Sequence, residues 1–288
     1  MKPFPLPLVA VGPGSQSGED EGLAFMAMPK AEPLVTPVPP EDAMPAELAA
    51  AADVVEQLIE SMQRHSPGVP GAPRFSLKAM APGALRALNE SLGQGEVSAV
   101  VGSGNGVPGW RVQETAFAGI WRVQREDGRG GLAEDILEAD DIPSIVKDSA
   151  AGVGGARLDP AGLPPGVMNA PSIVTELRHH ARAFKPGRPA HVVNLSLLPL
   201  LPADHDGLDA ILGDGPVAIL SRGFGNCRIT STRVRGIWRV RYFNSMNTLI
   251  LDTIEVVDIP EAARAAKEDF EDSLGRLREL LDWLREGY

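Results

Sequence analysis

The pentapeptide Gly-Ile-Trp-Arg-Val occurs twice, at Gly119–Val123 and at Gly236–Val240. No feature restricts the fold more, because the resemblance extends beyond the five residues. With Trp121 laid on Trp238, 117 residues apart, Trp110–Gln124 matches Cys227–Arg241 at 7 of 15 positions, and Leu132–Pro143 matches Leu249–Pro260 at 6 of 12. Unrelated segments of ordinary composition agree at roughly one position in fifteen, so the chain contains a duplicated module. At an offset of 120, "LNESLGQGEVSAVV" from Leu88 falls on "LDAILGDGPVAILS" from Leu208, the first copy carrying a longer loop. Each copy reads as helix, short strand, short helix, strand, long strand and strand, closed by Asp-Ile-Pro. The expected class is α+β: a tandem duplication of an α/β module with an antiparallel-dominated sheet.

The long strand is the most readable element. In the second copy Val234, Gly236, Trp238, Val240 and Tyr242 alternate with Arg233, Arg235, Ile237, Arg239 and Arg241. In the first, Phe117, Gly119, Trp121 and Val123 alternate with Ala116, Ala118, Ile120, Arg122 and Gln124. A period of two predicts one buried and one charged face, with Trp121 and Trp238 as repeated core anchors.

Composition sets the boundaries. Residues 1–44 hold nine prolines and the acid run Glu19–Glu21, and such a flexible segment does not fold alone. The first module spans 45–149, opened by a Pro45 helix with the stripe Leu48, Ala51, Val55, Leu58, Met62. A Gly/Pro linker at 150–167 precedes the second module, 168–262, whose first helix is expected to be capped by Ser172 and to turn Ile173, Val174, Leu177, Ala181 and Phe184 inward. Residues 263–288 form an amphipathic helix with Phe270, Leu274, Leu277, Leu281 and Leu284 on one side. It is expected to cover a module or to pair within a dimer, with docking into a partner's groove as the alternative.

Charge and cysteine usage exclude several classes. Against 38 Asp and Glu stand 27 Lys and Arg, a formal net charge of −11, which disfavours nucleic acid and suits positively charged partners. The single cysteine, Cys227, rules out an internal disulfide and a one-chain cysteine cage for zinc or an iron–sulfur cluster, and a reducing cytoplasm is the expected compartment. The start, "MKPFPLPLVAVGPG", is broken by prolines and lacks the apolar region of a secretory signal. The most apolar run, "HVVNLSLLPLLPA", is too short to span a bilayer, so no membrane insertion is expected.

Catalytic signatures are missing: no G-x-S-x-G elbow, P-loop, H-E-x-x-H or paired C-x-x-C occurs, and His65, His179, His180, His191 and His205 are scattered. The expectation is therefore a protein that is not an enzyme and has no resident metal or cofactor. Asp204, His205 and Asp206 read as a turn leading into a helix rather than as ligands. "GSGNG" at 102–106 and "RGFGN" at 222–226 read as hairpin turns. Cys227 is either a reactive thiol or an apolar filler. Arg233, Arg235, Arg239 and Arg241 stand where the first copy has Ala116, Ala118, Arg122 and Gln124. They are a candidate partner-binding strip, with internal pairing to Asp252 or Glu255 as the alternative.

"FPLPLVAVGPGSQ", "LAFMAMP", "GFGNCRITST", "GIWRVRYFNSMNTLILDTIEVVDIP" and "EDFEDSLGRLREL" together resemble the HupH/HyaF family of nickel–iron hydrogenase expression and formation proteins. The resemblance implies a chaperone-like accessory protein in uptake-hydrogenase maturation. It further implies binding of the iron–sulfur small subunit, and of other maturation factors, before export by the twin-arginine route. A client signal peptide would bring positive charge and an apolar stretch to an acidic surface. The alternative is a metal or iron–sulfur cofactor delivery protein, with Cys227 and His205 as its handles.

Overall fold

The computed structural model describes residues 42–102, 109–154, 157–223 and 225–286. The Pro-rich segment up to Glu41 therefore lies outside the described residues, as do most of "GSGNG" and Phe224 of "RGFGN".

The first repeat consists of α1 (Pro45–Met62), β1 (Arg74–Ser76), α2 (Pro82–Leu92), β2 (Val97–Val101), β3 (Trp110–Glu114), β4 (Ile120–Glu126), β5 (Leu132–Ala139) and α3 (Ser144–Ala151). The second follows the same order: α4 (Ala170–Ala183), β6 (His191–Asn194), α5 (Pro202–Leu212), β7 (Asp214–Ser221), β8 (Asn226–Thr232), β9 (Ile237–Phe243), β10 (Leu249–Val256), a 3-10 turn Glu261–Ala263, and α6 (Lys267–Glu286). Four strands follow the second helix of each repeat, one more than the periodicity suggests. The extra break falls at the pentapeptide glycines, since Gly119 and Gly236 take positive φ of 79° and 74°, where a continuous strand cannot run.

Among the described residues ten strands join one sheet in the order β1-β5-β4-β3-β2-β7-β8-β9-β10-β6. Every neighbouring pair is antiparallel. The repeats meet at β2 and β7, where Ala99 faces Ile219, Val97 faces Ser221 and Val101 faces Val217. Ala99 and Ile219 occupy the same place in the two copies, so the junction is self-complementary about an approximate twofold axis.

Three apolar clusters hold the sheet. One lies under α1, α2 and α6 and includes Val55, Leu58, Met62, Leu88, Ile120, Leu137, Phe270 and Leu277. A second lies under α4 and α5 and includes Ile173, Leu177, Leu208, Ile237 and Ile254. The third, on the opposite face, spans both repeats with Trp121, Val123, Ile219, Trp238 and Val240 beneath Val146 and Ala150 of α3 and Ala263 of the 3-10 turn. Both faces of β4 and β9 are thus covered, which corrects the expectation of one charged face. Ile120 and Ile237 are buried on the α1/α4 side, back to back with the tryptophans. The last helix covers a module, and it is the first: α6 lies against α1, although it belongs in sequence to the second copy.

Candidate functional site

The pentapeptide turns out to be structural at each position. A Cβ on Gly119 would stand 2.5 Å from the Phe270 ring, and one on Gly236 2.9 Å from the Phe184 ring. Trp121 and Trp238 are each 1% exposed. Their Nε1 groups donate to the carbonyl oxygens of Asp140 (2.8 Å) and Asp258 (3.0 Å), fastening each strand to the segment that closes its repeat. Arg122 donates from Nε and Nη2 to the two carboxylate oxygens of Asp135, and Arg239 does the same to Asp252 at 2.5 and 2.6 Å. Each guanidinium also reaches the helix above, Arg122 to Asn89 and Arg239 to Asp209.

The four arginines of the candidate strip therefore part company. Arg239 is 7% exposed and committed to Asp252 and Asp209. This corrects the expectation that it projects into solvent, because a carboxylate 13 residues away holds it inside. Arg233 donates to the Ala210 carbonyl at 3.1 Å and closes the C-terminal end of α5. Arg241 is half-buried opposite Asp252. Arg235 is exposed and lines a cleft of about 220 Å³ between the two Asp-Ile-Pro segments.

That cleft draws walls from both repeats. Asp141, Lys147 and Asp148 come from the first, and Phe184, Arg235, Asp258, Ile259 and Arg264 from the second. Lys147 bridges Asp140 and Asp141 at 2.6 Å each, and Arg264 crosses from the second repeat to Asp141, also at 2.6 Å. Burial alone would raise the Asp140 carboxyl, but Lys147 and the Gly68 amide offset this and hold it below the usual carboxylate range. The same contacts raise the Lys147 ammonium against its own burial. Both groups stay charged near neutrality, so the cleft offers mixed charge beside the apolar walls of Phe184 and Ile259.

The residues considered for chemistry are kept apart. Cys227 is buried in the cluster that spans both repeats. Burial pushes its thiol up to about 12, with the facing Tyr242 hydroxyl acting in the other direction, so it packs as a neutral thiol instead of serving as a reactive one. His205 lies on α5, on the opposite face of the sheet, and cannot meet Cys227 over a common ligand. Asp204, His205 and Asp206 lie inside α5 and not in a turn ahead of it, which corrects that expectation, and Asp204 caps the start of α4 as well as that of its own helix. Its carboxylate accepts from the amides of Met168, Asn169, Ala170 and Leu201. Burial would raise that carboxyl, but the four amides prevail and lower it to about 2. Asp204, not Ser172, thus satisfies the start of α4.

One surface escaped the sequence reading. Between β6 and α5 the second copy has "LSLLPLLP" where the first has the shorter "LKAMAP". Leu197 is 79% exposed, with Leu198, Leu201 and neighbouring Met168 also open to solvent. The equivalents of Leu197 and Leu201 in the first copy are Ala79 and Ala81. Set against its own repeat, this segment is an excess of exposed leucine that the fold does not require. Ser196 accepts from the Asp252 amide at 2.8 Å, which places the segment against β10, next to Arg241 on β9. The difference between the copies was visible in the sequence; the exposure was not.

Two copies of one helix-and-strand module, sharing a sheet through a twofold-like junction and differing in an exposed apolar segment, define a duplicated α+β protein. The HupH hydrogenase expression protein, C-terminal conserved region, matches residues 48–157 and 167–284, one segment on each repeat. The chain belongs to that family. It is 43% identical over 286 residues to the hydrogenase expression/formation protein HoxQ of Cupriavidus necator, covering 99% of both chains. It is 39% identical over 285 residues to the hydrogenase expression/formation protein HupH of Rhodobacter capsulatus, covering 98% of both. The hydrogenase-1 operon protein HyaF of Escherichia coli is 35% identical over 204 residues, 69% of each chain. The solved structure of the hydrogenase expression protein HupH from Thiobacillus denitrificans covers 40% of this chain and 97% of its own, at 27% identity and a TM-score of 0.38. Among the described residues no helix is long and apolar enough to cross a membrane.

Proposed function

We propose that this protein acts in the cytoplasm in the maturation of a nickel–iron uptake hydrogenase, as a chaperone-like binding protein that holds the iron–sulfur small subunit before export. Support for the process comes from its relatives, which carry the names of hydrogenase expression and formation proteins. Support for a binding role comes from the exposed segment Leu197–Leu201 of the second repeat, whose Leu197 and Leu201 stand where the first repeat has Ala79 and Ala81. Solvent-facing leucines beside an arginine-bearing strand suit a client that presents an apolar stretch together with acidic groups. In this reading Arg235 and Arg241 add specificity, whereas Arg239 and Arg233 hold the second repeat together.

The test is capture of the small subunit from cell extract by the purified full chain. Leu197→Asp with Leu201→Asp is expected to abolish capture while leaving the melting temperature unchanged. Arg235→Ala is expected to weaken it chiefly at low salt, where Coulomb attraction is least screened. Arg239→Ala has a different expected effect: it strands Asp252, which is 4% exposed, without its charge partner, and lowers stability by about 3–5 kcal/mol. Unchanged capture by the leucine variant at every salt concentration would remove this surface as the docking site.

A further inference from the structure

Helix α4 and the edge strand β6 bring together three side chains that the hydrogenase-directed reading does not use. Glu176 and His180 stand one turn apart on α4 and so share a face, and His191 opens β6. One carboxylate oxygen and one imidazole nitrogen from each histidine all lie within 4.8 Å of one another. His191 Nε2 is 2.8 Å from Glu176 Oε1, and the rings of His180 and His191 stack with centroids 3.4 Å apart. We propose that Glu176, His180 and His191 form a binding site for a divalent late first-row transition-metal ion such as Zn2+.

The donor set selects the ion class. Two imidazoles with one carboxylate suit borderline ions, while Mg2+ and Ca2+ prefer oxygen donors throughout. Ligation needs neutral imidazole. Glu176 is exposed and both histidines are half-buried, which leaves the rings room to turn from their stack and direct their lone pairs at one point. Water would complete the shell, as in other three-ligand sites.

The first repeat provides the internal control. Leu58 and Leu177 occupy corresponding buried positions in the two helices, which places Gln57 opposite Glu176 and Ser61 opposite His180. Arg74 pairs with Glu138 as Val192 pairs with Glu255, which places Pro73 opposite His191. None of the three equivalents is a comparable ligand, so the repeat folds without the trio. An ion here would tie the edge strand β6 to α4.

Isothermal titration of the full-length chain in metal-free buffer, with Zn2+ and separately with Mg2+, tests the proposal. One Zn2+ per chain is expected, with no Mg2+ uptake. His180→Asn and His191→Asn are each expected to weaken Zn2+ binding at least about ten-fold, and His205→Asn to leave it unchanged. Histidine ring NMR on the wild-type protein supplies a readout independent of any variant's folding: the His180 and His191 signals should move on adding Zn2+, and those of His65 and His205 should not. No stoichiometric Zn2+ uptake, equal uptake of Mg2+, unmoved His180 and His191 signals, or undiminished binding in the His180→Asn/His191→Asn double variant would each overturn the site.

Discussion

Glu114 at the end of β3 shows how a single buried group can set a pH response. It is 7% exposed, and its Oε1 accepts from the Gly119 amide at 3.2 Å. Burial is the largest influence on it and, despite opposing amide hydrogen bonds, raises its carboxyl to about 7. The folded protein therefore retains a proton that the unfolded chain gives up. The sign follows directly: the contribution of Glu114 to stability is greatest below the ordinary value of 4.5, falls as pH rises towards about 7, and is level above that. Glu114→Gln removes the titration and is expected to flatten this decline, so that the variant melts higher than the wild type at about pH 8. Melting temperatures across the window check this, and parallel curves would contradict it.

Among the elements, α6 shows how an amphipathic pattern leaves its partner open. Phe270, Leu277, Leu281 and Leu284 are buried and Leu274 is packed at the margin, as the 4-3 spacing predicts. Their partners are α1 and the first repeat's sheet, beyond the segment where Arg264 pairs with Asp141 and the Ala265 amide donates to the Asp141 carbonyl at 2.8 Å. Among the described residues no further helix is laid on α4 as α6 is laid on α1; Phe184, just past α4, fills over Gly236 the place that Phe270 takes over Gly119. Leu277 is fully buried, so Leu277→Ala is expected to destabilise by about 2–5 kcal/mol, the cost of a buried leucine's transfer and its cavity. The check is denaturant unfolding, with the loss appearing in the midpoint rather than the slope.

At the scale of the whole molecule the repeats are coupled by three devices: the β2–β7 ladder, the apolar cluster under α3 that both copies share, and α6 laid across the first copy. A chain so joined is expected to unfold in one cooperative step, although it contains two modules. Scanning calorimetry should find the calorimetric and van't Hoff enthalpies equal. Two separable transitions would mean that the junction carries little of the stability.

The duplication, the helical stripes of α1, α4 and α6, and the burial of both tryptophans were legible because each rests on local periodicity or on the comparison of one copy with the other. Those signals arise from backbone geometry that every chain obeys, 3.6 residues per helical turn and 2 per strand repeat. What required the tertiary structure was every property that depends on a distant partner. The sequence leaves Arg239 open between a partner and internal pairing with Asp252, and only the packed strands decide for Asp252, with Asp209 of α5 added. Ser172 reads as a helix cap until Asp204, from another helix, takes the amides of residues 168–170. Likewise Glu176, His180 and His191 are unremarkable along the chain and meet because an antiparallel edge strand returns beside α4. Periodicity states which side of an element is apolar, whereas the compensation of a buried charge or the convergence of ligands depends on which elements become neighbours, and only the packed sheet decides that.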